Sequence, residues 1–254
     1  MRRILLIFGI LVCLAAVHVV FGQINEGVIH YETKINLHRN LPPERQEMKA
    51  MIPEFRTTKD QLFFNAGESI YKPVIEDEPE EMNAGGMRMR FNAAQSETYI
   101  NTGNELRIVS QEFMGKKYQI EDTLKMAPWK FGTETKTILG YVCRQAFYTD
   151  ETQIMMGPQQ QKRTQEITAW YTDQIRPMLG PDRFGTLPGA VLAVDINNGE
   201  RVIVATKVEN RPLKKNELKT PSGGTNITRA DFQQLVAEQM ERMRANGGNV
   251  IIRN

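Results

Sequence analysis

The fold class is decided by the stretch Gly27-Val28-Ile29-His30-Tyr31-Glu32-Thr33-Lys34-Ile35-Asn36-Leu37. From Tyr31 to Leu37, every second residue is aromatic, β-branched or aliphatic. Successive side chains of an extended chain point to opposite faces, so this spacing puts those residues on one side of a strand. Aromatic and β-branched residues also favour strands in general. The stretch therefore predicts a first β-strand that buries one face.

Further strands are predicted along most of the chain. Apolar and polar residues alternate in three segments bounded by glycine or asparagine, 55–64, 68–74 and 95–101, as expected of strands joined by hairpins. Six further strands are predicted at 104–113, 117–121, 135–149, 165–172, 190–196 and 201–211. Strands at spacings near ten residues indicate a meandering antiparallel sheet rather than alternating strands and helices. Because so large a sheet should curl, we expect a mainly β fold: a large curved antiparallel sheet, forming an open or partial barrel.

Two helices are expected beside the sheet. Segment 42–51 has proline at its entry and strong helix formers after it, which predicts a short N-terminal helix. Near the other end, Thr228 and Asp231 have the spacing of a capping box. The apolar stripe that follows predicts an amphipathic C-terminal helix over 229–245, and it consists of Phe232, Leu235, Val236, Met240 and Met243.

Residues 1–22 have the order of a secretory signal. Met1-Arg2-Arg3 is followed by an uncharged apolar run from Ile4 to Phe21, and small Gly22 precedes a cleavage position before Gln23. The run also reaches the lower length limit of a membrane span, so an uncleaved anchor is the alternative. We predict a signal peptide over 1–22 and a single β-rich domain over 23–254. The protein is then exported to the periplasm or beyond the cell, with membrane contact only through the signal peptide.

Charge and cysteine content narrow the function further. The chain has 32 basic and 30 acidic residues, and removing Arg2 and Arg3 with the signal leaves 30 of each. A neutral chain with no long basic cluster argues against nucleic acid as a partner. Only Cys143 remains after cleavage, which excludes an intramolecular disulfide. A lone cysteine in a strand is typical of a small buried hydrophobic residue, so we predict a buried free thiol.

A motif between two strands carries a family resemblance. Trp170-Tyr171 ends one strand, and Gly180-Pro181 and then Leu187-Pro188-Gly189 lead into the next. Together with Trp129 and the run 137–146, these residues resemble the GLPGLI family of exported Bacteroidetes proteins over about residues 127–208. The eponymous hexapeptide departs from the family at Thr186, Ala190 and Val191. The resemblance implies export but brings no biochemical activity with it.

The motif itself favours a structural role. Pro188 fixes φ and Gly189 tolerates φ values closed to other residues, so the motif predicts a shaped turn, with ligand binding as the alternative. The candidate site residues are Trp170, Tyr171, Gly180, Pro181, Leu187, Pro188 and Gly189. A separate weak signal is Asp122-Thr123-Leu124, which resembles the O-glycosylation acceptor of exported Bacteroidetes proteins and makes Thr123 a secondary candidate for modification.

Three classes of function are left open. No catalytic residues and no cofactor are predicted, because the chain lacks G-x-S-x-G, H-E-x-x-H, C-x-x-C and a phosphate-binding glycine loop, although an uncharacterised enzyme remains an alternative. The second class is a copper-binding protein, since the acidic, flexible loop expected over 76–92 contains the soft thioether donors Met82, Met87 and Met89. The leading class is a non-catalytic envelope protein that binds an apolar ligand or a protein partner in a concavity of the sheet.

Overall fold

The computed structural model describes residues 22–41, 43–75, 81–84, 87–90, 96–156 and 159–245. The expected signal peptide therefore lies outside the described residues except for Gly22. The strands are β1 Gly27–Asn36, β2 Phe55–Phe64, β3 Glu68–Pro73, β4 Glu81–Ala84, β5 Met87–Arg90, β6 Glu97–Asn101, β7 Leu106–Phe113, β8 Lys116–Thr123, β9 Lys130–Ile138, β10 Tyr141–Met156, β11 Gln159–Thr172, β12 Ala190–Ile196, β13 Arg201–Glu209 and β14 Thr225–Thr228. One α-helix, α1, spans Arg229–Ala245.

Twelve of the strands form one open sheet. Their order is β14-β8-β7-β6-β3-β2-β1-β13-β12-β11-β10-β9, and the sheet does not close into a barrel. The sheet consists of two meanders that are joined where β1 pairs with β13. One meander runs through β1, β2, β3, β6, β7 and β8, and the other runs from β9 to β13. The mainly β class is confirmed, but the sheet is mixed, because β14 runs parallel to β8. This strand was not expected from the sequence, since its four residues are too few to show a pattern.

The expected strand over 135–149 was wrong, because a turn divides it. Leu139 and Gly140 have φ values of 52° and 85° between β9 and β10. Two residues with positive φ form the tight hairpin turn that matches the twist of paired strands. Glycine is usual in such a turn, whereas leucine is rare there, and the leucine concealed the turn in the sequence.

Two other segments were predicted to be a loop and a short helix. Within the loop predicted over 76–92, the described residues form strands β4 and β5, which pair antiparallel, and 76–80, 85–86 and 91–92 lie outside the described residues. The predicted N-terminal α-helix is not shown, and its region has 3-10 turns at His38–Asn40 and Pro43–Ala50. The prolines that flank this segment leave room for about two turns, too few to stabilise an α-helix without packing.

The sheet buries apolar side chains on both faces. One face carries the larger core, in which residues of β1, β2 and β10 to β13 pack under segment 173–189. We call this the covering segment; its apolar side chains with at most 1% exposure are Ile175, Leu179, Phe184 and Leu187. On the opposite face, a smaller core on β1 to β3, β6 and β7 packs against Leu213 and Leu218. Two irregular segments therefore cover much of the sheet.

Helix α1 has the predicted limits and lies at the β7–β8 edge. Its Phe232 ring packs edge-to-face on Phe113 and Tyr118, with centroid distances of 5.8 and 5.5 Å. At its start, Thr228 Oγ1 accepts a hydrogen bond from the Asp231 backbone N–H at 3.1 Å, as expected of an N-cap. Among the described residues, no helix combines the length and the apolar character needed to cross a membrane.

Candidate functional site

Backbone hydrogen bonds hold the first half of the covering segment in place. Near its start, the Gln174 carbonyl accepts from Ile24 N–H, just before β1, at 3.0 Å. Near its middle, the Leu179 carbonyl accepts from Val191 N–H of β12 at 2.8 Å. In between, the buried Arg176 guanidinium donates to the Glu68 carbonyl of β3 at 2.8 Å. Burial lowers the pKa of Arg176 to about 10. These bonds tie the segment to the N-terminus, β3 and β12.

The motif glycines are required by close backbone contacts. A Cβ on Gly180 would lie 2.8 Å from Gly185 Cα, and a Cβ on Gly189 would lie 2.1 Å from the Thr172 carbonyl oxygen. Both distances are shorter than van der Waals contact, so neither position accepts a side chain without movement of the backbone. The glycines of the motif therefore allow the covering segment to fold tightly against itself and against β11.

The other motif residues are distributed over the segment and its flanks. Tyr171 is buried, and its ring packs edge-to-face on Phe131 at a centroid distance of 6.1 Å. Trp170 is half-buried on β11 with the Lys136 ammonium 4.1 Å from its ring centroid. Leu187 and Pro181 are buried, and Pro188 is exposed. This distribution places the predicted residues within the packing of the fold, in positions that shape the turn.

Thr186, where the family resemblance would expect glycine, makes specific contacts. Its Oγ1 accepts hydrogen bonds from the Trp129 indole N–H at 3.0 Å and from the Ala127 backbone N–H at 3.2 Å. The Trp129 ring also packs edge-to-face on Tyr148, with centroids 4.6 Å apart. The departure from the hexapeptide thus links the covering segment to the connection between β8 and β9.

An open pocket of about 270 Å³ lies at the edge of the covering segment, on the face of its larger core. Strands β6, β7 and β8, the residues after β8, the covering segment and the first residue of α1 all contribute to its wall. The lining residues are Ile100, Arg107, Asp122, Thr123, Leu124, Lys125, Arg183, Gly185, Thr186 and Arg229. Four of these carry a positive charge and one carries a negative charge, so the wall has an excess of cations.

One arginine of this pocket forms no ion pair with a described residue. Asp122 binds Arg229 Nε and lies 3.9 Å from Lys125 Nζ. Arg183 forms its ion pair with Asp150, outside the lining, at 3.0 Å. For Arg107, no described carboxylate lies within ion-pair distance, and its buried Nε has no hydrogen-bond partner among the described residues. Burial, and secondly the charge of Arg229, lower the pKa of Arg107.

A second polar cluster lies farther along the same face. Thr33 Oγ1 donates to Asp60 Oδ2 at 3.4 Å, and burial is the largest cause of the raised pKa of Asp60. Burial, followed by the charge of Asp60, also raises the pKa of the Tyr71 hydroxyl. Asp182 of the covering segment acts electrostatically on Asp60 and on Arg107. The charge of Asp182 is therefore felt both in this cluster and at the pocket.

The charged residues of the pocket were not predicted from the sequence. Arg107, Arg183 and Arg229 come from three separate elements, and no spacing in the sequence relates them. One signal was present: Arg107 lies on the same face of β7 as the apolar Val109 and Phe113. Of the sequence candidates, only Thr123 lines the pocket.

The remaining candidates have the following positions. Cys143 is fully buried and free, as predicted, and burial raises its pKa to about 11. Met82 and Met89 occupy paired positions of β4 and β5, and Met87 pairs with Ala84. Across the described part of the chain, there is no group of three or more histidine, cysteine or acidic residues that could hold a metal ion.

Comparison with known proteins gives a fold and a partial family match. PNGF-II, solved in space groups P21 and C2, has a similar structure, with a TM-score of 0.53 and 16% identity in each case. The similarity covers 84% of this chain but only 34% and 33% of the PNGF-II chains, so this chain spans about a third of their length. No curated protein matches the sequence significantly. Residues 129–193, which include Trp129, Cys143 and the whole covering segment, match the family described as "Protein of unknown function (Porph_ging)", an uncharacterised family of Bacteroidetes-type proteins with which the GLPGLI resemblance is compatible.

Proposed function

We propose that the chain is an exported, non-catalytic envelope protein that binds a ligand in the pocket beside the covering segment. The observation that carries this proposal is the pocket itself. It is open at the edge of the covering segment, and side chains from several separate elements converge on it. A concave site with a few converging polar groups is the usual form of a small-molecule site.

The packing of the face supports the pocket over a broad apolar concavity. The part of the face over the larger core is filled by Ile175, Leu179 and Phe184 of the covering segment. Ile100 and Leu124 supply apolar surface within the pocket wall. A ligand with a small apolar part and a polar part would fit these surroundings, and a side chain of a protein partner could occupy the same pocket.

The test is to purify the protein from its native envelope and to identify co-purifying molecules by mass spectrometry. Thr123→Trp adds a bulky ring at an exposed position of the pocket wall, whereas Thr137→Trp adds the same volume to exposed edge strand β9 at the other end of the sheet. We expect the co-purifying molecule with the parent protein and the Thr137 variant but not with the Thr123 variant. Equal recovery with both variants would rule out this pocket as the binding site.

A copper-binding protein is the second candidate, favoured by the register of the β4–β5 hairpin, which pairs Met82 with Met89. Replacing Met82, Met87 and Met89 together by leucine removes three soft donors and keeps the apolar volume. We expect the Cu(I) affinity, measured by competition with a chromogenic chelator, to fall. Leucine replacement of the exposed Met51, Met114 and Met126 is the matched control. Equal affinities in the two triple variants would eliminate this candidate.

A further inference from the structure

We infer that the pocket beside the covering segment binds a small organic oxyanion, through a phosphate or carboxylate group held by Arg107, Arg183 and Arg229. This inference rests on the proposed function and adds to it the chemical class of the ligand. Its basis is the distribution of charge in the pocket wall rather than the shape of the pocket alone.

One positive charge of the pocket wall, that of Arg107, has no ion pair among the described residues. Asp122 serves both Arg229 and Lys125, and Asp150 serves Arg183, so Arg107 has no carboxylate of its own within ion-pair distance among the described residues. Asp182 and Asp122, which lies opposite Arg107 in the β7–β8 pairing, act on Arg107 only as weaker electrostatic influences than burial. A partly buried cation without an ion pair is costly, and an anion in the pocket would offset that cost.

The guanidinium groups of the pocket supply hydrogen-bond donors suited to an oxyanion. A guanidinium group offers paired N–H donors in a planar fork that matches two oxygens of a carboxylate or phosphate. Three such groups line one small pocket, and the buried Nε of Arg107 has no described acceptor. Arg229 and Arg183 are each about 40% exposed, so both remain accessible to a ligand while bound to their aspartates.

The volume and the lining of the pocket limit the size and the character of the ligand. The volume of about 270 Å³ lies just below the usual range of small-molecule sites, which is roughly 300–1,000 Å³. Ile100 and Leu124 form an apolar side of the wall. The ligand is therefore a compact anion with a short apolar part, either as a free metabolite or as the headgroup region of an anionic lipid.

The experiment measures binding of phenyl phosphate to the protein over 23–254 by titration calorimetry at constant ionic strength, with phenol as the neutral partner of equal ring size. We expect Arg107→Gln and Arg183→Gln each to weaken phenyl phosphate binding by about ten- to a hundredfold, the usual value of a charge-assisted hydrogen bond. Arg242→Gln, an exposed arginine of α1 outside the pocket, is the matched control and should leave binding unchanged. Two arginine variants are used because one could fail to fold, which thermal unfolding would reveal.

The outcomes separate the inference from the proposed function. Equal affinity in the Arg107, Arg183 and Arg242 variants would overturn the inference. Binding of phenol as tight as that of phenyl phosphate, blocked by Thr123→Trp, would overturn the anion class and leave the pocket as a binding site. If neither compound binds and phosphatidylglycerol vesicles do not bind either, both statements fail. Arginine-dependent binding to those vesicles but not to phosphatidylcholine supports the inference and identifies a lipid source.

Discussion

At the scale of single residues, the covering segment depends on contacts that a family pattern does not reveal. Thr186 replaces a glycine of the resembled hexapeptide, and its hydroxyl oxygen accepts two hydrogen bonds from the β8–β9 connection. Gly180 and Gly189, in contrast, keep their identity because backbone atoms occupy the space of a side chain. The motif therefore contains two glycines that close backbone contacts require and one position, Thr186, whose side chain forms hydrogen bonds.

Thr186→Val should destabilise the protein by about 1–2 kcal/mol, because the valine keeps the shape of threonine but leaves two donors without their acceptor. The free energy of unfolding can be measured in urea from tryptophan fluorescence. Thr186→Ser retains the hydroxyl and should stay close to the parent. Equal stabilities of the valine and serine variants would show that the two hydrogen bonds contribute little.

Cys143 should make stability fall in alkaline solution. Its pKa of about 11 in the folded protein exceeds the ordinary 9.0 because burial disfavours the thiolate. The folded state thus holds the proton more tightly, so this contribution is complete below about pH 9 and is lost as the pH rises through about 11. The measurement is the difference in unfolding free energy between the parent and Cys143→Ala from pH 8 to 11. A difference that does not change with pH would contradict the assignment.

At the scale of elements, helix α1 has the predicted limits but packs on the sheet through few side chains. Its start is fixed by Thr228 and by the ion pair between Arg229 and Asp122, and Phe232 packs on two aromatic rings of β7 and β8. Farther along, Met240 is 45% exposed, so the apolar stripe is only partly covered. The helix is therefore expected to be less stable than the sheet on which it packs.

Phe232→Ala should release α1 while the sheet remains folded. Loss of two edge-to-face ring contacts and of the buried ring area removes the main packing that keeps the helix in place. We expect amide hydrogen exchange within 233–245 to become at least about tenfold faster, a change of about 1.4 kcal/mol, with little change in β1 and β12. Met240→Ala is the control on the same helix. Equal acceleration across the sheet would mean that the helix and the sheet unfold together.

At the scale of the whole molecule, the N-terminal end of the described chain is part of the packing around the covering segment. Gln23 Nε2 donates to the Asp173 carbonyl at 2.9 Å, and Ile24 forms a bridge with Ile175. Every one of these contacts lies after the cleavage position predicted from the sequence. These contacts would therefore be retained in a chain that begins at Gln23.

Export should produce a mature chain that begins at or near Gln23. The physical reason is the charged start, apolar run and small Gly22 that signal processing requires. Intact-mass measurement of protein recovered from the native envelope fraction checks this prediction. Retention of residues 1–22 on that protein would contradict cleavage and favour the membrane anchor.

The sequence by itself determined the local features whose causes are local. Alternation along β1 and the cap and stripe of α1 predicted these elements within a few residues, because side-chain direction and capping depend on near neighbours. Burial of Cys143 followed from the same reasoning. The β9–β10 turn was missed because its leucine adopts a backbone conformation that leucine rarely adopts.

Only the tertiary structure decided the sheet order, the cover and the candidate site. The pairing of β1 with β13 joins residues far apart in the chain, and no local pattern specifies it. The covering segment has no helical or strand periodicity, so its packing over the larger core could not be predicted from the sequence. Arg107, Arg183 and Arg229 meet only because β7, the covering segment and α1 converge at one edge, and charge becomes a binding feature only when folding brings it together.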